Sequence, residues 1–346
     1  MTDGTRPTRV LVTGGAGYVG SVSVERLLAA GHHVVVLDDL TTGHAAAVPD
    51  GARLVVGSYA DGGAVERLLR DEGIEAILHC GARSIVPESI GDPAGYYATN
   101  VVGGIALLDA ARAAGIRRFV LSSTAAVYGV PEQSPIPEEA PLLPVNPYGE
   151  TKRALEGVLR WYGAAYGLRS IALRYFNVAG ASERNGEIHE PETHLIPNVL
   201  RAAEGSGEVT VFGSDYPTRD GSCIRDYIHV EDLADAHLLA IGATDPSDER
   251  TGPPDGGALV ALNLGNGGGF SVLEVLAAAE RVVGRPIPHR FGARRAGDPP
   301  ELVASAATAE RLLGWRPARP ELERIVGSAW AWRLGNPDGY GERRPR

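Results

Sequence analysis

The first half of the chain alternates short runs of β-branched and aliphatic residues with longer amphipathic stretches rich in alanine. Arg9-Val10-Leu11-Val12-Thr13 predicts a strand, and Tyr18 to Ala30 a helix closed by Gly31. His33 to Leu37 predicts the next strand and Ala64 to Glu72 another helix. Ala76 to His79, Phe119 to Leu121 and Ile171 to Arg174 read as further buried strands. Strands alternating with helices of about a dozen residues imply right-handed βαβ units and a parallel sheet covered on both faces. The predicted fold class is α/β, a Rossmann-type doubly wound parallel sheet with a smaller mixed α/β substrate lobe. After about Asn177 the pattern loosens. Ala181 to Glu192 is polar and loop-like, Thr251 to Gly257 is a Pro/Gly-rich connection, and Arg285 to Pro300 is dense in Pro, Gly and Arg. The expected division is a nucleotide-binding domain over residues 1–180, to which segments near 225–265 return, and a ligand-binding lobe over 181–346. Ligands of open parallel sheets sit beyond the carboxyl ends of the strands, so the site is expected between the lobes.

Directly after the first predicted strand comes Thr13-Gly14-Gly15-Ala16-Gly17-Tyr18-Val19-Gly20. Glycines at 14, 17 and 20 permit a tight turn, a close backbone approach to a pyrophosphate, and close packing of the next helix on the strand. The helix N-terminus then offers N–H groups and the positive end of its dipole to phosphates. The spacing is G-x-x-G-x-x-G, one residue away from the common dinucleotide fingerprint. The second strand ends in Leu37-Asp38-Asp39, where an acid binds adenosine ribose hydroxyls and repels a 2′-phosphate. That pairing points to NAD rather than NADP, held by Gly14, Ala16, Gly17, Tyr18, Val19, Gly20, Asp38 and Asp39.

Ser122-Ser123-Thr124 follows another predicted strand, and Asn146-Pro147-Tyr148-Gly149-Glu150-Thr151-Lys152 opens a helix. Tyr148 and Lys152 are four apart and so share a helix face, one turn from each other. A phenol with a pKa near 10 needs about 4 kcal/mol of preferential phenolate stabilisation to act as a base near pH 7. An adjacent ammonium and the positive charge of an oxidised nicotinamide both act in that direction. Composition singles the lysine out. The chain has 33 Lys and Arg residues, and Lys152 is the only lysine. Arginine evidently serves wherever positive charge alone suffices, so a lysine here implies a compact ammonium that must reach both a ribose and a phenol.

Net charge is −10 with acids and bases interspersed, which argues against nucleic acid or an anionic membrane as partner. The longest apolar runs, such as Val34 to Leu37, are strand length, and Met1 to Arg9 is too short and polar for a signal peptide. Cys80 and Cys223 lack framework or metal spacing and suit a reducing cytoplasm, each as a small core residue. The nine histidines form no H-x-x-x-H pair and there is no C-x-x-C, so no metal is expected.

Several ordered motifs together resemble the UDP-galactose (UDP-glucose) 4-epimerases of the extended short-chain dehydrogenase/reductase superfamily. They are Val12 to Ser21, Ser122 to Gly129, Asn146 to Lys152, Leu173 to Ala181, Phe212 to Gly221 and Ile224 to Ala234. Asn263 to Gly265, Phe270 to Val275 and Gly314 to Pro317 extend the likeness nearly end to end. The resemblance implies NAD-dependent C4 epimerisation of a UDP-sugar through a 4-keto intermediate. It assigns Tyr148 as base, Lys152 as its ribose-binding partner and Thr124 as the hydroxyl beside them. Asn100, Ser122 and Tyr175 are implied near the cofactor. Asn177, Arg225, Arg295 and Asp298 are implied at the diphosphate, with His194, Leu195 and Phe212 near the uridine. It also implies a homodimer built on the helices around Ile105 to Ala114 and Ala154 to Tyr166. Departures from the family pattern are Ser58 at an adenine-contacting position, Cys80 for Phe, Gly81 to Ser84, His194 for Asn, and Leu302 where a Tyr or Cys sets sugar-pocket size. Dehydratases of this superfamily place Asp-Glu after the catalytic Thr, and here Ala125-Ala126 follows Thr124. A nucleotide-sensing protein without activity is argued against by the intact Thr124, Tyr148 and Lys152.

Overall fold

The structure, a computed structural model, describes residues 6–248, 259–295 and 298–341; the Thr251 to Gly257 connection lies outside them. From β1 (Arg9–Thr13) a glycine turn leads into α1 (Tyr18–Ala29), followed by β2 (His33–Asp38), β3 (Arg53–Val56), α2 (Gly62–Asp71) and β4 (Ala76–His79). Short helices α3 (Val86–Gly91) and α4 (Pro93–Tyr96) pass through a π-helical stretch, Tyr97–Gly103, into α5 (Gly104–Ala113). Then come β5 (Arg118–Thr124), α6 (Pro147–Tyr166), β6 (Arg169–Tyr175), β7 (Asn177–Ala179), α7 (Leu195–Ala203) and β8 (Val209–Phe212). The rest comprises β9 (Ile224–Arg225), β10 (Tyr227–His229), α8 (Val230–Ala243), β11 (Leu259–Leu264), β12 (Phe270–Ser271) and α9 (Val272–Val283). It ends with β13 (His289–Gly292), β14 (Glu301–Leu302), α10 (Ala307–Leu313) and α11 (Leu322–Gly335).

Seven strands form one sheet in the order β11-β6-β5-β4-β1-β2-β3, and every pairing in it is parallel. The strands read as unbroken apolar runs because both faces are covered. In β1 and β2, Val10, Val12, Val34 and Val36 turn to one face, where they join residues of α1, α8 and α10. Leu11, Val35 and Leu37 alternate to the other face and pack with Val65, Leu69, Leu107, Leu108, Leu155 and Leu159 of α2, α5 and α6. A second core joins α7, α9 and α11 to β8 and forms the smaller lobe, which also holds the β8–β13 pair and the β12-β9-β14 sheet. Strand order reverses between β1 and β4, and ligands of such sheets bind at that switch, beyond the strands' carboxyl ends.

Candidate active site

The turn after β1 meets the end of β4 at this switch. Gly14 has φ of +70°, and a Cβ there would sit 2.5 Å from the Gly81 nitrogen; one on Gly20 would overlap the Gly14 carbonyl. Gly17 differs, since its nearest neighbour would be the Gly14 oxygen at 3.4 Å. Packing therefore does not exclude a side chain at 17, and its absence keeps the approach to the start of α1 clear. α1 has no side-chain cap and no acid in its first turn, so its positive end is left for an anion. Asp38 fixes the loop by accepting hydrogen bonds from Ala16 N (3.0 Å) and Leu40 N (2.9 Å). Each carboxylate oxygen keeps a second lone pair for a ribose hydroxyl. Burial raises the Asp38 pKa, against those two hydrogen bonds. Asp39 accepts from Thr41 N, and Ser58 is exposed. These features fit a dinucleotide with a free 2′-hydroxyl.

α6 starts where Asn146 caps the Gly149 nitrogen (2.9 Å) and Pro147 occupies the first turn. This places Tyr148 and Lys152 inward, 8% and 2% exposed. Lys152 Nζ donates to the Ser122 carbonyl (2.8 Å) and keeps two further protons for a ligand. Thr124 ends β5, is the register partner of Tyr175, and accepts from Ala126 N through its hydroxyl (3.1 Å). Burial pushes the Tyr148 phenol up to about 12, with the Thr124 hydroxyl acting the other way. Burial likewise pushes Lys152 down to about 8, opposed by Cys80 and Glu156. Ser122 hydroxyl donates to Cys80 sulfur (3.3 Å) and lies 3.3 Å from His237 Nε2, while Tyr175 crosses the His237 ring edge-on. The structure thus brings Ser122, Thr124, Tyr148, Lys152 and Tyr175 together.

A cleft of about 510 Å³ lies in the smaller lobe, lined by Asn177, His194, Leu195, Phe212, Arg225, Arg295 and Asp298, with Tyr148, Lys152 and Thr124 outside its walls. β7 links the two regions, since Asn177 follows Tyr175 by two residues. The Arg295 guanidinium stacks on Phe212, 4.0 Å from the ring centroid. Asp298 is ion-paired with Arg225, which also donates to the Ile224 carbonyl (2.7 Å). A carboxylate so placed orients the guanidinium, whereas next to a diphosphate it would repel. Asn100 sits in the π-helical stretch with its amide engaged: it accepts from Arg83 N (2.9 Å) and donates to Arg83 O (2.9 Å) and Thr151 Oγ1 (3.0 Å). It ties the segment after β4 to α6. Leu302 lies outside the cleft walls, packed with Val127, Tyr128, Ile136, Phe176 and Ala304.

Sequence reasoning missed the polar network behind Lys152. Glu156, one turn further along α6, is 3% exposed and takes a bidentate pair from Arg174 (3.0 and 2.6 Å) and a hydrogen bond from Ser123 (2.6 Å). Arg174 also reaches the Tyr128 hydroxyl (2.8 Å), which donates to Asn263 (2.7 Å). Glu156 lies on the same helix face as Tyr148 and Lys152, and that i, i+4, i+8 spacing was the available signal.

The description "NAD dependent epimerase/dehydratase family" is that of the family profile matching residues 10–251. A UDP-glucose 4-epimerase of Streptomyces lividans is 49% identical over 337 residues, spanning 97% of this chain and 99% of that protein. Among solved structures, UDP-glucose 4-epimerase from Brucella ovis in complex with NAD matches with a TM-score of 0.89 at 43% identity, over 94% of this chain and 98% of that one. UDP-glucose 4-epimerase from Bifidobacterium longum in complex with NAD+ and UDP matches with a TM-score of 0.87 at 34% identity, over 96% and 100%. Sequence, fold and site geometry agree, and the chain belongs to the NAD dependent epimerase/dehydratase family.

Proposed function

We propose that the chain interconverts UDP-galactose and UDP-glucose by NAD-dependent epimerisation at C4 of the hexose. The observation that carries this reading is Tyr148 and Lys152 buried on one face of α6, with Lys152 Nζ on the Ser122 carbonyl of β5, the strand that Thr124 ends. Tyr148 takes the proton of the sugar 4-hydroxyl and later returns one. Thr124 holds that hydroxyl in line, and the Lys152 ammonium orients the nicotinamide ribose while favouring the phenolate. When bound, NAD supplies hydride acceptance at C4, hydride return to the opposite face, and in its oxidised form a positive charge beside the phenol. The loop Gly14 to Gly20 and Asp38 and Asp39 hold its pyrophosphate and adenosine ribose. Asn177, Arg225 and Arg295 grip the substrate diphosphate, Phe212 and Leu195 border the uracil, and Asp298 aims Arg225. Such an anchor allows the sugar to present either face without leaving.

The relatives matched with NAD and with UDP support this assignment, and Ala125-Ala126 supplies no acid or base for dehydration. Leu302, standing where the family has either a Tyr or a smaller Cys, leaves N-acetylated hexoses as a second reading. Incubation with UDP-galactose, UDP-glucose and their N-acetyl forms, followed by proton NMR of the anomeric region, tests both. Absence of any epimer contradicts the proposal. We further propose a cytoplasmic homodimer joined through α5 and α6. Support comes from the exposed Trp161 and Tyr166 on α6 (68% and 50%) and from two free cysteines, and no described helix is long and apolar enough to cross a membrane.

A further inference from the structure

The loop between β7 and α7 carries a cluster of which only His194 lines the nucleotide cleft, while Glu187, His189 and Glu192 lie outside its walls. Glu187, His189, Glu192 and His194 turn one ligand atom each toward a common centre, all four within 4.8 Å of one another. His194 Nδ1 lies 2.9 Å from a Glu187 oxygen and 3.0 Å from a Glu192 oxygen; His189 Nδ1 lies 3.2 and 3.8 Å from the same two carboxylates. A tetrahedral zinc with bonds of about 2.0–2.2 Å places its ligand atoms roughly 3.3–3.6 Å apart. The observed separations bracket that spacing. His189 Nδ1 is a buried atom that meets no hydrogen-bond geometry even though it is ion-paired with a Glu187 oxygen 3.2 Å away, so the atom is aimed between the two carboxylates rather than at either. Neither glutamate, at 8% and 4% side-chain exposure, has an arginine partner among the described residues. Against burial, the Glu187 and Glu192 carboxylates push His189 up to about 9 and His194 up to about 10, so both carry a proton when the cluster is empty; a divalent ion would displace those two protons and meet a donor set of charge −2. Nitrogen and oxygen donors in a tetrahedral set suit zinc and its neighbours rather than magnesium or calcium.

We propose that these four residues bind a divalent transition cation of the zinc class. The spacing in sequence shows no such site, because positions 187, 189, 192 and 194 share no helix or strand face. Only the loop path, anchored by Trp332 Nε1 on the Arg184 carbonyl (2.9 Å) and by Asn185 on Glu25 and the Ala47 carbonyl, brings them together. The cation is structural in this account. His194 occupies the N-cap position of α7 and lines the cleft with Leu195, so metal binding fixes one cleft wall.

The test uses the whole protein, stripped with EDTA, dialysed, and titrated with Co2+ and with Zn2+. Expected are one cobalt per chain with the intense visible absorption of a tetrahedral centre, displacement of cobalt by zinc, and a zinc-dependent rise in melting temperature. H189Q and E192Q are each expected to weaken binding by at least the ~10–100-fold typical of lesser, outer-sphere changes. Failure of the native protein to bind stoichiometric cobalt or zinc overturns the proposal and leaves an ion-pair cluster of protonated histidines. Stoichiometric tetrahedral binding that survives in both variants, or that leaves the melting temperature unmoved, also overturns it.

Discussion

Replacing Lys152 by methionine separates the residue's work in catalysis from its effect on folding. The residue is 2% exposed and its pKa is depressed from 10.5 to about 8 by burial. A depressed folded pKa means that the folded state binds fewer protons than the unfolded state between pH 8 and 10.5. Stability attached to Lys152 therefore rises with pH through that window, and the full penalty applies below it. The difference of about 2.5 units corresponds to about 3 kcal/mol at neutral pH. Methionine keeps most of the stem and removes that penalty, so Lys152→Met is expected to stabilise the cofactor-free chain near pH 7 and to flatten its stability between pH 8 and 10.5. Activity moves the opposite way. An opposite charge within about 4–6 Å of an acid lowers its pKa by roughly 1–3 units, and the proposed mechanism asks this of the ammonium when the phenolate forms. Loss of the ammonium then raises the Tyr148 pKa by about 2 units and lowers turnover at neutral pH about 100-fold, with partial recovery at high pH. Urea unfolding across pH and a coupled assay for UDP-glucose formed from UDP-galactose read the two effects. Lys152→Arg keeps the charge but must fit a wide fork against the Ser122 carbonyl, at roughly 1–3 kcal/mol of overpacking. Near-native turnover in Lys152→Arg, or unchanged stability and turnover in Lys152→Met, would refute the point-charge reasoning.

Other perturbations follow from single contacts. Tyr148→Phe removes the proton acceptor and is expected to lower kcat about 10²–10⁴-fold with little change in KM, read by the same coupled assay. Arg225→Ala removes charge-assisted bonds to the diphosphate and leaves Asp298 unpaired; KM for UDP-galactose is expected to rise roughly 10–100-fold, more than kcat falls. Asp226 is fully buried and accepts from the backbone nitrogens of Asn266 (2.7 Å), Gly267 (3.0 Å) and Ala304 (3.0 Å). Asp226→Ala strands all three donors and is expected to destabilise by at least about 3 kcal/mol in urea unfolding.

Much of the fold was legible because its signals are local. The glycine turn, the unbroken apolar runs of β1 and β2 and the four-residue step from Tyr148 to Lys152 each depend on neighbours in sequence. Lys152 stood out by composition alone, and the structure gives the reason in a buried ammonium on the Ser122 carbonyl. The missed features depend on chain crossings. Arg174 reads as the end of a buried strand and Glu156 as a helix acid, and only the packing of α6 on β6 makes them a buried pair. Asp298 was expected at the diphosphate beside Arg295. Its ion pair with Arg225, which lines the same cleft, depends on β9, a strand too short to read from periodicity. The histidines at 189 and 194 read as solitary because the loop that joins them has no repeating period.

The most direct measurement of the central claim is incubation of the protein with UDP-galactose in D2O, with the product examined by proton NMR and mass spectrometry. Hydride removed and returned by a cofactor that Lys152 and the glycine loop hold in place leaves protium at C4, so UDP-glucose with no carbon-bound deuterium is predicted. UDP-glucose carrying deuterium at C4, or no UDP-glucose at all, would contradict the account.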